Sequence, residues 1–248
     1  MSDTTHSSDQ AVTLTIDIGG TGIKMITVDH QGKPTSERLR ELTPDPATPD
    51  ALLVLIGAML EVQPAFDRVS VGFPGVVVRG VTKSAPNLGS ERWRELDLQS
   101  AIAELSGKPT RVMNDADLQG YGVIEGRGLE LVLTLGTGLG SGLYVDGQLA
   151  PNLELAHHPF EKGKTYEQRL GDAALDRAGT KRWRERVARM VLLLDRVFNA
   201  DLLHIGGGNA RKLRAADLPA SVRVFDNVEG MTGGLGLWQV EQPGSAGS

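Results

Sequence analysis

Cysteine is missing from the chain altogether, which excludes disulfides and thiolate metal sites and fits a cytosolic setting. Long apolar runs are missing as well; the longest, Ala51 to Leu60, falls well short of a bilayer span. Met1 to Gln10 is polar and acidic, with neither the basic start nor the apolar middle of a secretory signal. These absences predict a cytoplasmic protein with no membrane partner. Positive charge is not in excess either: 26 Lys and Arg face 31 Asp and Glu, a net charge of -5 at pH 7. No Lys/Arg block rises above a helix face, so sequence-independent nucleic-acid binding is not expected. A phosphorylated ligand would have to be held by local donors, because the global field mildly repels it.

What is present is an ordinary globular composition, 40% hydrophobic and 23% charged over 248 residues. That is enough for one large domain or two small lobes. Val12 to Ile18 reads as a buried strand stopped by Gly19-Gly20, and Ile23 to Val28 as its hairpin partner. Ala51 to Val62 has helical spacing, with Leu52, Leu55, Ile56 and Met59 on one face. Arg68 to Phe73 is a strand, and Val76 to Thr82 a candidate partner for it. Leu96 to Leu105 is a helix closed by Gly107 and Pro109. Thr110 to Met113 is a short strand, after which an Asp at 115 or 117 offers a helix N-cap. Leu129 to Leu135 is a strongly apolar strand, with Leu143 to Leu149 as hairpin partner. Lys181 to Phe198 is the clearest helix, burying Trp183, Val187, Met190, Val191, Leu194 and Phe198; its arginines read as a solvated face. Leu202 to Ile205 and Val222 to Phe225 close the strand count.

A weak repeat organises these elements. Gly20 and Gly136 open matching Gly-Thr-Gly turns 116 residues apart, and the returning strands end in Asp29 and Asp146, 117 apart. Two α/β lobes of similar topology are therefore expected, with their glycine turns facing one ligand-binding cleft. The expected boundaries are a disordered 1–11, a first lobe at 12–115, a second at 116–240 and a disordered tail at 241–248.

The turns carry the chemistry. In Asp17-Ile18-Gly19-Gly20-Thr21-Gly22-Ile23-Lys24, glycines let backbone N–H groups turn toward an anion and Thr21 adds a hydroxyl. Lys24 either adds a charge or points outward. Asp17, at a strand end, can hold Mg²⁺ directly or through water. The Gly-Lys-Ser/Thr ending of a P-loop is absent, and a strand follows where a dinucleotide fold would place a helix. Gly136 to Gly142 places four glycines in seven residues (Gly136, Gly138, Gly140 and Gly142, with Thr137 between the first two), more than packing asks for. In Asn114-Asp115-Ala116-Asp117, an Asp is placed either to accept a hydroxyl proton or to cap a helix. Glu154 and His157 share one side of a turn, suited to vicinal hydroxyls but thin as a metal site. Asn87, near Trp93, offers an amide to a hydroxyl. Gly206-Gly207-Gly208 leaves flat backbone for an adenine ring or is a plain strand-to-helix turn.

Taken together, these residues resemble the ROK family of sugar kinases and repressors, and within it the polyphosphate/ATP glucokinase branch, from about Val12 to Trp238. The resemblance implies an α/β, actin-like ATPase (ribonuclease H-like) fold of two lobes around a central cleft. It implies transfer of a phosphoryl group from ATP or polyphosphate, with Mg²⁺, to the C6 hydroxyl of a hexose such as glucose. Asp115 is then the catalytic base. Asn87, Asn114, Asp115, Glu154 and His157 bind the sugar, with Glu167 as second glutamate. Asp17, Gly19, Gly20, Thr21, Gly22, Lys24, Gly136, Thr137, Gly138, Gly140, Gly206, Gly207 and Gly208 bind phosphate or nucleotide. Homodimers are common in that family. Its Cys-rich zinc motif is absent here, as in the polyphosphate branch, so no zinc is expected. Ala156 replaces a usual glycine, and the insert from His158 to Arg177 is atypical; both bear on acceptor choice and keep another acceptor in view. A sugar sensor without turnover is the other alternative, but only about eleven residues precede the first strand, too few for a helix-turn-helix.

Overall fold

The computed structural model describes residues 10–89, 91–150 and 153–238. The tail expected at 241–248 lies outside them, as does all but the end of the tail expected at 1–11. The chain divides into two compact units: its described residues up to Gly122 with those from Met231 onward, and Val123–Gly230.

The first unit carries β1 (Thr13–Ile18), β2 (Ile23–Val28), β3 (Leu39–Glu41), α1 (Pro49–Glu61), β4 (Arg68–Phe73), β5 (Val77–Val78), β6 (Val81–Thr82), β7 (Leu96–Asp97), α2 (Leu98–Ser106), β8 (Thr110–Asn114) and α3 (Asp115–Tyr121). Its main sheet runs β3-β2-β1-β4-β8, with β2 antiparallel to β1 and β4 and β8 parallel. All six β1 residues are buried, as a central strand covered on both faces must be. One face packs Leu14, Ile16, Val69 and Val71 against Leu52, Ile56 and Met59 of α1 and Leu98 and Ile102 of α2. α1 begins where Thr48 caps Ala51 N and Pro49 fills the first turn, and α2 stops at Gly107 in the left-handed conformation.

The other face is met by a short 3-10 helical return of the chain, Gly233–Trp238. A side chain at Gly233 would lie 2.0 Å from Leu118 O and one at Gly234 2.1 Å from Thr15 Oγ1, so only glycine permits this approach. Ser70 donates to Gly234 O at 2.6 Å, and Trp238 Nε1 donates to Ser70 Oγ at 2.8 Å. The expected lobe boundary at 115/116 therefore moves: α3 and the returning segment pack with the first unit. Val76 to Thr82 does not pair with β4; β5, β6 and β7 form their own small sheet.

The second unit carries β9 (Leu129–Leu135), β10 (Leu139–Val145), β11 (Gln148–Ala150), β12 (Pro159–Glu161), β13 (Lys164–Thr165), α4 (Tyr166–Leu170), α5 (Asp172–Ala178), α6 (Thr180–Phe198), β14 (Leu202–Gly206) and β15 (Val222–Val224). The short α7 (Asn227–Thr232) leads out of it. Its main sheet runs β11-β10-β9-β14-β15, again with an antiparallel hairpin followed by parallel strands. The repeat seen in the sequence is thus a repeat of sheet order. α6 buries Trp183, Val187, Met190, Val191 and Leu194 against Leu131, Leu133, Leu203 and Ile205, with Phe198 partly buried beside them. The atypical insert forms the β12–β13 hairpin, α4 and α5.

Candidate active site

In the first unit the candidate site residues collect toward the carboxyl ends of parallel strands, where open α/β sheets bind ligands. Asp17, next to last in β1, stands opposite Lys24 on β2 and Gly72 on β4. Residues directly opposite share a face, so Lys24 does not point outward: its Nζ meets Asp17 Oδ2 at 2.6 Å. Lys24 in turn pairs with Arg40 on β3. Arg40 Nε would lie 3.0 Å from a side chain at Gly22, which places a guanidinium against the first glycine turn. The sequence reading missed Arg40, because β3 has three residues and no periodicity. The turn is closed by Gly19 N donating to Gly22 O at 3.0 Å and braced by Thr43 Oγ1 on Gly19 O at 2.6 Å. Thr21 is exposed at its tip.

Asn87 O lies 3.1 Å from where Gly20 would carry a side chain, so the loop bearing Asn87 packs on this turn. Trp93 is 1% exposed and sits 5.0 Å from the Phe73 ring, with Nε1 donating to Ala47 O at 2.8 Å. It shapes the loop from within.

The helix cap proves to be neither aspartate. Asn114 Oδ1 accepts from Ala116 N at 2.8 Å and from Asp117 N at 3.2 Å, and its Nδ2 donates to Gly75 O at 3.2 Å. Asp117 is buried within α3. Asp115 opens α3, half-buried, with Oδ1 accepting from Ala116 N at 2.9 Å. Its Cα lies 3.2 Å from where Gly72 would carry a side chain, so the β4 glycine gives Asp115 room at the strand ends.

In the second unit the Gly136–Gly138 turn is closed by Gly136 N on Gly138 O at 3.0 Å, with Thr137 exposed at its tip. Two residues brace it. Asp172 N donates to Gly136 O at 3.0 Å, Asn209 Nδ2 reaches Gly136 O at 3.3 Å, and Asp172 Oδ1 accepts from Asn209 at 2.5 Å. Gly206 faces the Phe225 ring, and Gly207, at φ 87°, would place a side chain 2.4 Å from Leu135 O. Packing therefore accounts for both, while Gly208 faces open space.

Glu154 and His157 flank a short 3-10 turn and are both exposed. Ser141, within the glycine-rich motif, anchors this loop by donating to Leu153 O at 2.6 Å and accepting from Leu155 N at 3.2 Å. Ala156 is 4% exposed in the core and is not among the residues of positive φ, so alanine fits here without strain. Glu167, on α4, accepts from Leu139 N at 3.4 Å. The Glu154 carboxyl is pushed above its ordinary value by partial desolvation; His157 opposes the shift and the Glu167 charge adds to it. The Glu167 charge is thus close enough to act on the Glu154 carboxyl. Among the described residues no group of three His, Asp or Glu could hold a metal ion. A single carboxylate such as Asp17 suits Mg²⁺ only as an ion that arrives with its phosphates.

The ROK family model matches residues 13–152. The chain belongs to the ROK family. This ROK chain is 34% identical to a polyphosphate glucokinase of Mycobacterium leprae over 85% of its own length and 68% of that protein. It is also 34% identical to a polyphosphate glucokinase of Mycobacterium tuberculosis over 85% of its length and 83% of that protein. An inorganic polyphosphate/ATP-glucomannokinase from Arthrobacter sp. strain KM superposes with TM-score 0.82 at 32% identity, covering 93% of this chain and all of that one. A Streptomyces griseus ROK glucokinase superposes with TM-score 0.77 at 20% identity, covering 91% of this chain and 98% of that one. The fold is that of the actin-like ATPases. No helix among the described residues is long and apolar enough to cross a membrane.

Proposed function

We propose that this ROK chain is a glucokinase that transfers a phosphoryl group from ATP or polyphosphate to the C6 hydroxyl of glucose. The observation that carries the reading is Asp115, held at the ends of parallel strands beside Gly72, in the unit that also holds the Asp17–Lys24–Arg40 row and the Asn87 loop. In this reading Asp115 accepts the proton of the attacking hydroxyl. Asn87 and the second Nδ2 proton of Asn114 hold neighbouring hydroxyls. Glu154 and His157 take further hydroxyls, with Glu167 setting the charge beside Glu154. In the first unit, backbone N–H groups of the Gly19–Gly22 turn, with Lys24 and Arg40, stabilise phosphate charge; in the second, those of the Gly136–Gly138 turn bind donor phosphate. Mg²⁺, when bound with the donor, would neutralise phosphate charge near Asp17. The acceptor is a small-molecule sugar, and nothing in this chemistry calls for nucleic acid.

A coupled assay with Mg²⁺, offering glucose or mannose as acceptor and ATP or polyphosphate as donor, tests the assignment. Mannose is included because the Arthrobacter relative is a glucomannokinase. Turnover of glucose with at least one donor is expected. Silence on both sugars with both donors would remove the hexose-kinase reading.

Glu154 supplies a second test. Its ionised form is the better acceptor for a sugar hydroxyl, so glucose KM rises as pH falls through its raised pKa. Glu167→Gln removes a charge that raises this pKa. The acid limb of the KM profile should then move to lower pH. An acid limb that stays in place, or moves upward, would separate Glu154 from sugar binding.

A further inference from the structure

The arginines of α6 are not a uniformly solvated face. Arg182, Arg186 and Arg189 follow the i, i+4, i+7 spacing of one helical stripe and span about 10 Å. That stripe meets the insert. Glu161, at the end of β12, is 13% exposed and is held by Arg169 of α4 through Nε at 2.8 Å and through Nη2. Arg186 Nε lies 3.9 Å from Glu161 Oε1, and Arg189 Nη1 lies 3.7 Å from Oε2. Arg186 Nη1 also donates to Arg169 O at 3.3 Å. Arg177, at the end of α5, and Arg182 stand close enough to Arg186 to disfavour its charge, after desolvation and Arg169. Among the described residues no carboxylate pairs with Arg177 or Arg182.

Three guanidiniums at one carboxylate, with Arg177 and Arg182 acting on Arg186 beside them, leave a local surplus of positive charge in a chain whose net charge is -5. Gathering like charges costs free energy unless a multivalent anion offsets it. Glu161 fixes the Arg169 guanidinium through two of its N–H groups and draws Arg186 and Arg189 toward it, and guanidinium forks are the geometry that suits phosphate oxygens. The cluster also adjoins the second glycine turn. Glu167 and Arg169 share α4; Glu167 accepts from Leu139 N, and Gly171 after α4 sits against Thr137 O, 2.7 Å from where it would carry a side chain. A donor whose reacting end lies at that turn, and whose chain is longer than a nucleotide triphosphate, can continue onto these arginines.

We propose that Arg169, Arg177, Arg182, Arg186 and Arg189 form a track that binds the non-reacting length of an inorganic polyphosphate chain. The proposal rests on the kinase reading above and names its preferred donor.

The test uses the full chain and the double variant Arg182→Gln/Arg189→Gln, which spares the Glu161–Arg169 pair. KM is measured for long-chain polyphosphate and for ATP at saturating glucose. Binding of fluorescently labelled long-chain polyphosphate is measured directly without sugar, beside a single-stranded oligonucleotide of equal charge. The ratio of polyphosphate KM to ATP KM should rise about 10-fold or more in the variant, and the salt dependence of polyphosphate binding should become shallower by about two ions. An unchanged KM ratio and unchanged binding overturn the track. Equally tight oligonucleotide binding by the wild type overturns it too, as does wild-type turnover with ATP but no polyphosphate binding, and the kinase reading survives both results. Failure of turnover with either donor removes the kinase reading, and the binding arm then decides the track by itself.

Discussion

Asp115→Asn should lower glucose kcat by about 10²-fold or more with either donor, while the protein stays folded and glucose KM changes little. The expectation follows from how the site is built. An asparagine retains an oxygen for the Ala116 N–H that Asp115 Oδ1 now accepts at 2.9 Å. The cap of α3 is Asn114, whose bonds to Ala116 N and Asp117 N do not depend on residue 115. What is lost is the ability to take a proton. The two donors must fail together, since the base acts on the sugar and not on the phosphate chain. Steady-state kinetics beside thermal unfolding decide the matter. A variant that turns over within a few-fold of the wild type would take the base role from Asp115. One that loses activity because it unfolds would be recognised in the melt, and Asp115→Glu, which keeps the carboxylate, would then serve as the folded control.

Much of the candidate site was legible because its signals are local. Glycine turns between apolar strands announce themselves, and the matching positions of Gly20 and Gly136 led to two sheets of the same order. Asn114-Asp115 stood out as a strand-to-helix junction. What could not be read depends on residues far apart in the chain. Arg40 reaches the first turn only because a three-residue edge strand pairs beside Lys24. The return of Gly233–Trp238 to the first unit depends on missing side chains at Gly233, Gly234 and Gly236 meeting Leu118, Thr15 and Tyr121. Composition shows those glycines but not what they meet. The capping role moved from aspartate to Asn114 because all three residues are good caps and only the backbone course chooses among them. The arginines of α6 read as solvated because the insert that meets them has no helical or strand period of its own.

Glu130 is the clearest case of a residue hidden by its surroundings, and removing it should be costly. It stands in the apolar run of β9 and is 0% exposed. Its carboxylate accepts from Glu125 N at 2.8 Å, Gly126 N at 2.7 Å and Arg127 N at 3.3 Å, and meets His204 Nε2 on β14 at 2.8 Å. Burial alone would raise its pKa, but the four hydrogen bonds outweigh burial and hold it below the ordinary 4.5. Glu130→Ala takes the acceptor from three part-buried loop N–H groups and from buried His204, and should destabilise the second unit by about 3–5 kcal/mol at pH 7. The sign of the pH dependence follows from the direction of the shift. A carboxyl held below its unfolded value contributes stability above that unfolded value, and the contribution is lost as pH falls through the lower folded value. Wild type and variant should therefore differ most near neutral pH and converge in acid below 4.5. Urea unfolding followed at Trp183, buried in the same unit, measures the difference at each pH. A gap that is small at pH 7, or that widens in acid, would mean the bonds to Glu130 do not hold the loop before β9 to the sheet.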